Sequence, residues 1–321
     1  MSSRCATLRI ALARLLVLLA LLLANASAHG APRPVVAIVK SSSIPPFEQA
    51  ASSIQQVLAQ DPLQPEILTF DLEGQEANAG RVLAAVQRAN PRVIVCIGSL
   101  ATSAVLKDDS HTPVVFSMVL YPRQSGFVSG PTRGVTGASL DIPLDVQFAY
   151  LRRLLPGGRR LGVLYHASET GAVVEAARAQ APRHGFSLET KEVDGAGDAA
   201  AALADLMEHV DAVWTVADSH VLTPQTTSAL ILAALRRRIP LIGLSTAHVR
   251  TGALAAFTCD YADVGRQTAE LAARVLRGEA ATTIPMSSPT KVGLSLNLRT
   301  AEHLGLSISP DVKREAGEVV P

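Results

Sequence analysis

A twice-run alternation of short apolar segments and longer amphipathic ones constrains this chain more than any other feature. In the first run, segments 35–39, 66–70, 92–97 and 113–119 are rich in Val, Ile and Phe. Between them, segments 48–59, 77–89 and 100–106 set apolar residues at helical spacing, as Ile54, Val57 and Leu58 do. The second run has strand segments 160–165, 187–193, 212–216 and 240–244. Its helical segments end near 184 or span 198–208 and 223–237. Such alternation predicts a mostly parallel sheet with helices on both faces. An unbroken apolar run such as Val93-Ile94-Val95-Cys96-Ile97 suits a strand covered on both sides. The expected fold is therefore α/β, with two doubly wound, Rossmann-like lobes and parallel sheets.

Segment 121–143, rich in Gly, Pro, Ser and Thr, reads as the first crossing between the lobes. After 244 come a strand at 252–258, an amphipathic helix at 263–276 stopped by Gly278, and a short tail with a strand at 291–296 and a helix at 298–304. The expected division is 34–122 with about 248–285 in one lobe, and about 135–246 with 290–318 in the other.

A leader precedes this pattern. Arg4, Arg9 and Arg14 flank the apolar run 15–24, and Asn25-Ala26-Ser27-Ala28 supplies a small-residue A-x-A site. This order is that of a secretory signal peptide, expected to be cleaved after Ala28. The apolar run is about half of the roughly 20 residues a membrane span needs, which disfavours the alternative of an uncleaved anchor. Cys5 stands ahead of the apolar run, so it is not a lipid-modified cysteine at a cleavage site. The expected location is the periplasm, without a lipid anchor.

Loss of the leader removes three arginines and no acids from 29 basic and 28 acidic residues, leaving a net charge of −2. That balance offers no basic excess for nucleic acid or anionic lipid. An exported chain also works where nucleotide cofactors are scarce, and no cofactor is expected. The sequence agrees. It has no G-x-x-x-x-G-K-[ST] phosphate loop, no G-x-G-x-x-G after segment 35–39, no G-x-S-x-G elbow and no H-E-x-x-H. No Cys or His spacing suits a metal site. Cys96 reads as a buried free thiol, with a Cys96–Cys259 disulfide as the alternative in an oxidising compartment.

In open α/β sheets, ligands bind outside the carboxyl ends of the strands. The residues there are small or polar: 41–43, 98–101, 119–121, 167–170, 218–219 and 245–247. Ser99 is either a helix cap or a ligand-binding hydroxyl or amide. Asp218 ends an apolar strand, where a carboxylate is costly unless paired, so it serves as a cap, a hinge or a contact for a ligand ammonium. Tyr261 is either packed or at the cleft. Trp214 lies within a strand and is expected in the core. His166 and His220 fall near strand ends, on loops or lining a pocket.

Several segments together resemble a known family. They include Val95-Cys96-Ile97-Gly98-Ser99-Leu100-Ala101-Thr102, Gly134-Val135-Thr136-Gly137-Ala138-Ser139, Leu154-Leu155-Pro156, Asp260-Tyr261-Ala262-Asp263-Val264-Gly265 and Leu276-Arg277-Gly278-Glu279. In order and spacing they resemble substrate-binding proteins of ABC importers with the type I periplasmic-binding fold, in the subgroup with tryptophan- and tyrosine-binding members. The likeness covers roughly residues 34–318.

The resemblance implies two lobes joined by a multi-strand hinge and closing on a small solute, an amino acid or similar zwitterion, without catalysis. It also implies delivery to an inner-membrane permease, by a monomer. Carried over by position, the ligand-binding residues are Ser41, Ser42, Gly98, Ser99 and Ala101 in the first lobe, Ser168, Thr170 and Asp218 in the second, and Tyr261 beside the cleft. Tyr121-Pro122 stands where many relatives have Asp-Pro, which places an aromatic side chain at the lobe crossing, and Tyr121 joins the set. Two alternatives share this architecture or compartment: a sensory receptor docking on a sensor kinase ectodomain, and an exported hydrolase, which needs a nucleophile–base pair that no motif supplies.

Overall fold

The computed structural model describes residues 33–108, 111–128 and 134–320, so the expected leader, 1–28, and Cys5 lie outside the described residues. Two sheets organise the chain. The first has the order β2-β1-β3-β4-β5 and is parallel throughout. Its strands are β1 (Val35–Lys40), β2 (Glu66–Asp71), β3 (Val93–Ile97), β4 (Val114–Val119) and β5 (Val135–Ser139). The second has the order β12-β11-β10-β9-β8-β6-β7, parallel except for the β10–β11 pair. Its strands are β6 (Arg160–Tyr165), β7 (Ser187–Glu192), β8 (Ala212–Trp214), β9 (Leu241–Gly243), β10 (Ala255–Cys259), β11 (Val292–Asn297) and β12 (Ala316–Val320).

The apolar strands feed two cores each. Side chains alternate across a strand. Val36 and Ile38 accordingly join one apolar cluster, while Ala37 and Val39 join another on the opposite face. In β3, Val93, Val95 and Ile97 divide from Ile94 and Cys96 in the same way. Helices α1 (Pro45–Leu58) and α9 (Tyr261–Leu276) cover the first face, and α2 (Ala79–Arg88) and α3 (Ser99–Lys107) the second. The second sheet repeats the scheme. Helices α4 (Leu144–Leu154) and α5 (Ala167–Gln180) pack with Trp214 on one face, and α6 (Ala196–Leu206) and α7 (Thr227–Arg236) lie on the other. The short helices α8 (Thr246–Thr251), α10 (Leu298–His303) and α11 (Pro310–Glu315) complete this unit.

The sheets reassign three segments. Residues 135–139, expected in the second lobe, form β5 and pair with β4 through Val114↔Val135 to Ser117↔Ala138. Gly137 permits this, because a Cβ there would lie 2.3 Å from the Phe116 carbonyl oxygen and 2.5 Å from its ring. Conversely, β10 and α8, expected in the first lobe, belong to the second sheet, because β10 pairs with β9 and β11. The chain then returns to the first lobe within two residues, at α9. It thus passes between the units three times: after β5, after β10 and before β11.

Two contacts anchor the returning chain. Helix α9 lies so close to α1 that a Cβ on Gly265 would sit 2.4 Å from the Ala50 carbonyl oxygen. Nearby, buried Asp263 accepts hydrogen bonds from Thr290 Oγ1 (2.6 Å) and Gln267 Nε2 (3.1 Å) and pairs with Arg266 (2.7 Å). Thr290 belongs to the third crossing, so this cluster ties the crossing to α9. Burial by itself would raise the Asp263 pKa, but hydrogen bonds from Thr290, Arg266 and Gln267 outweigh it and hold the group at about 2.

Two measurements follow. Gly265→Ala is expected to lower stability in urea unfolding by about 1–3 kcal/mol through overpacking. Gly80→Ala, in α2 with nothing within 4 Å of the added Cβ, is expected to be neutral or stabilising by up to ~1 kcal/mol. The Asp263 carboxyl is lowered on folding, so its contribution is complete above its unfolded value and is lost as pH falls through its folded one. Unfolding free energies measured from pH 6 down to pH 3 should therefore fall less steeply in Asp263→Asn than in the wild type, by on the order of 1 kcal/mol, because the rest of the contribution is lost only below pH 3.

Candidate functional site

The carboxyl ends of β8, β9 and β10 open onto a cleft of about 610 Å³, closed on the other side by the end of β4 and the crossing at 140–144. That volume suits a small organic ligand, whose pockets run to roughly 300–1,000 Å³. The first lobe contributes Leu120, Tyr121, Gln124 and Tyr261, and the second contributes residues at 214–217, 242–247 and 257–259. Among the described lining residues Asp141 is the one carboxylate, and none is Lys, Arg or His.

Asp141 lies on the first crossing and is half-buried. Its Oδ1 accepts the Tyr121 N–H at 2.8 Å. Burial pushes its carboxyl pKa up, with the Tyr121 amide acting the other way. The Tyr121 hydroxyl accepts the Ala217 N–H from the second lobe at 3.1 Å. Burial pushes this phenol up to about 12, so it stays neutral. Gln147 also lines the cleft, with its Oε1 taking the Trp214 indole N–H at 3.0 Å and its Nε2 donating to the Ile142 carbonyl at 2.8 Å. Trp214 is core, 2% exposed.

The sequence-derived residues fall into three groups. Tyr121 and Tyr261 line the cleft. Ser41, Ser42, Gly98, Ser99 and Ala101 gather at the ends of β1 and β3, outside that lining. There the Ser41 Oγ accepts the Ala101 N–H at 2.9 Å and caps α3 from sixty residues upstream. Ser99 is exposed and is the first helical residue; Gly98 holds the cap position at φ +87, where a Cβ would meet Ser41 Oγ at 2.6 Å. The capping hydroxyl thus comes from Ser41, not Ser99.

The third group is in the second lobe. Asp218 is 2% exposed, and its carboxylate has four donors. The Thr170 hydroxyl (2.5 Å) and His166 N–H (2.7 Å) reach Oδ2, while the N–H groups of His220 (3.0 Å) and Val221 (3.2 Å) reach Oδ1. This set ties the end of β6, the first turn of α5 and the loop after β8 together. Asp218 is thus held within its own lobe, with fully buried Thr170 beside it, and neither is among the described residues that line the cleft.

Ser168 is exposed, 2.9 Å from His166 Nδ1. The His166 and His220 rings stack with centroids 4.0 Å apart, and Glu169 lies 2.8 Å from His220 Nδ1. Glu169, Asp218 and His220 approach one another closely enough to suggest a metal site. The same Glu169 oxygen, however, already receives the Ser219 N–H and hydroxyl. No disulfide joins Cys96, buried in β3, to Cys259; Cys259 lines the cleft, and burial and neighbouring Asp260 push its thiol up to about 11.

Sequence reasoning missed Asp141, Gln147, Thr215 and Thr258. Asp141 comes two residues after β5, within segment 121–143, which reads in sequence as the first crossing between the lobes. Its signal is that of any carboxylate at a strand end.

Two parallel-dominated α/β lobes, crossed three times and enclosing a cleft at strand ends, define the type I periplasmic-binding fold. The model of the ABC transporter substrate binding protein family matches residues 35–320, and the chain belongs to that family. It is a family of solute-binding proteins, in agreement with the non-enzymatic reading. A tyrosine-binding protein of Clostridioides difficile is 23% identical over 219 residues, 67% of this chain. The match spans 63% of that relative's length, less than two thirds.

Among solved structures, a Streptococcus pneumonia ABC domain in complex with L-Trp superposes with a TM-score of 0.66 and 23% identity, covering 90% of this chain and all of the other. The ligand-free, open structure of a Clostridium difficile substrate binding protein with adhesive properties gives 0.72 and 18%, covering 89% and 99%.

Replacing Asp218 with Ala would leave four donors without this acceptor, two of the bonds being fully buried. The expected outcome is a loss of roughly 2–4 kcal/mol in urea unfolding, with solute affinity of the remaining folded fraction unchanged in calorimetry.

Proposed function

We propose that this chain is the periplasmic receptor of an ABC importer, binding an amino acid, or a similar small zwitterion, between its lobes. The observation that carries this reading is the charge pattern of the cleft: one carboxylate, Asp141, faces an otherwise neutral lining. A ligand ammonium pairs with Asp141. Tyr121, Phe257 and Tyr261 line the same space and suit an apolar or aromatic side chain. With no Lys, Arg or His among the described lining residues, the ligand carboxylate relies on neutral donors. The first-turn N–H groups of Ser99 and Leu100 in α3 are candidates, brought across the cleft by hinge closure. The names of the tyrosine-binding relative and the L-Trp complex support an aromatic amino acid.

Family membership supports an inner-membrane permease as partner, and the leader at 1–28 supports export to the periplasm. The receptor acts as a monomer, without cofactor or nucleic acid. Ligand favours the closed state by differential affinity for it.

Calorimetry with an amino-acid panel on refolded, ligand-free protein tests the reading. L-tyrosine or L-tryptophan is expected to bind, and Asp141→Asn to weaken that binding by about 10- to 100-fold, the loss of a charge-assisted hydrogen bond. Binding of neutral polyols alone, or an unchanged affinity in Asp141→Asn, would show the assignment to be wrong.

A further inference from the structure

Tyr121 is held at both ends by different parts of the molecule. Its N–H donates to Asp141 on the first crossing at 2.8 Å, and its hydroxyl accepts the Ala217 N–H on the second lobe at 3.1 Å. The Leu140 N–H bonds to the Val119 carbonyl beside it, so the crossing is stitched to the end of β4 twice within three residues. The backbone here is unusual. The β4–β5 register shifts between Ser117 and Val119, and Met118 (φ +59) and Tyr121 (φ +51) both take the left-handed conformation. Neither is glycine, and such conformations persist only where surrounding contacts enforce them. Bulges of this kind re-aim side chains; here the aim is across the cleft. Tyr121, Asp141 and Ala217 all belong to the cleft wall, so a solute would meet all three.

We propose that Tyr121 is a positioning residue for solute capture, a strut whose hydroxyl fixes the separation of the lobes before solute arrives and whose amide sets the Asp141 carboxylate. This rests on the reading of the cleft as the solute site and goes beyond contact between ring and ligand. A strut close to the hinge limits opening without spanning the mouth. It keeps a larger fraction of the ligand-free protein near the binding-competent separation, and apparent affinity scales with that fraction.

Tyr121→Phe keeps the ring and the amide and removes only the hydroxyl. Spin labels carried by unnatural residues at Gln60 and Arg183, both exposed and in opposite lobes, report the inter-lobe distance by pulsed dipolar spectroscopy. The ligand-free variant is expected to give a broader distribution shifted to longer distance, with a melting temperature close to wild type. Affinity for L-tyrosine or L-tryptophan is expected to be about fivefold weaker, the worth of one ordinary hydrogen bond. An unchanged distance distribution overturns the strut. A broadened distribution with unchanged affinity overturns its role in capture. If the wild type binds neither amino acid, the ligand assignment fails, while the distance measurement still decides whether the strut exists.

Discussion

The geometry of the cleft hangs on the seat of α9 against α1. Strand β10 belongs to the second sheet, yet α9 begins two residues after it and packs in the first lobe. Gly265 lets the α9 backbone come down onto Ala50. Val264, Ala269, Ala272 and Leu276 then enter the same core as Val36 and Ile38. Because the turn between β10 and α9 is so short, Cys259 and Tyr261 sit on opposite sides of a crossing and both face the cleft. A helix displaced outward by even a methyl group at Gly265 would carry Tyr261 with it.

Asp218, Asp263 and Asp141, all buried or half-buried, divide by the partners that hold them. Asp218 has four donors from its own lobe. Asp263 has Thr290, Gln267 and Arg266. Both are held by donors from the surrounding fold, as buried polar groups require, and neither is among the described residues lining the cleft. Asp141 accepts the Tyr121 amide and its pKa is pushed up rather than down. An acid in that condition gains most from an added cation, which is why the functional reading rests on Asp141 and not on the more conspicuous Asp218.

Most of the strands and long helices were legible because their signal is local. Four-to-six-residue runs of Val, Ile and Ala between amphipathic helices need no knowledge of the partner. The exceptions have physical causes. Segment 135–139 reads Val-Thr-Gly-Ala-Ser, with a glycine and two hydroxyl residues; it is a strand because β4 offers its edge and Gly137 fits under Phe116. Helix α8 is six residues long and capped by Ser245, too short to show a period. Strand β12 alternates exposed and half-buried residues at the sheet edge, a weak pattern in so short a segment. Missing β5 shifted the lobe boundary and concealed Asp141.

By itself, the sequence determined the α/β class, the doubled strand–helix series and the two-faced burial of the strands. All of these follow from composition and spacing over a few residues. Tertiary structure alone decided which polar residue does what. Ser41 caps a helix sixty positions away, Thr170 and the His166 N–H donate to Asp218 across about fifty positions, and Tyr121 joins a crossing to the opposite lobe. The reason is that hydrogen-bond satisfaction and burial depend on neighbours in space. Two aspartates that follow apolar strands look alike in sequence, and only the packed chain shows that one is held by four donors of its own lobe while the other faces the cleft.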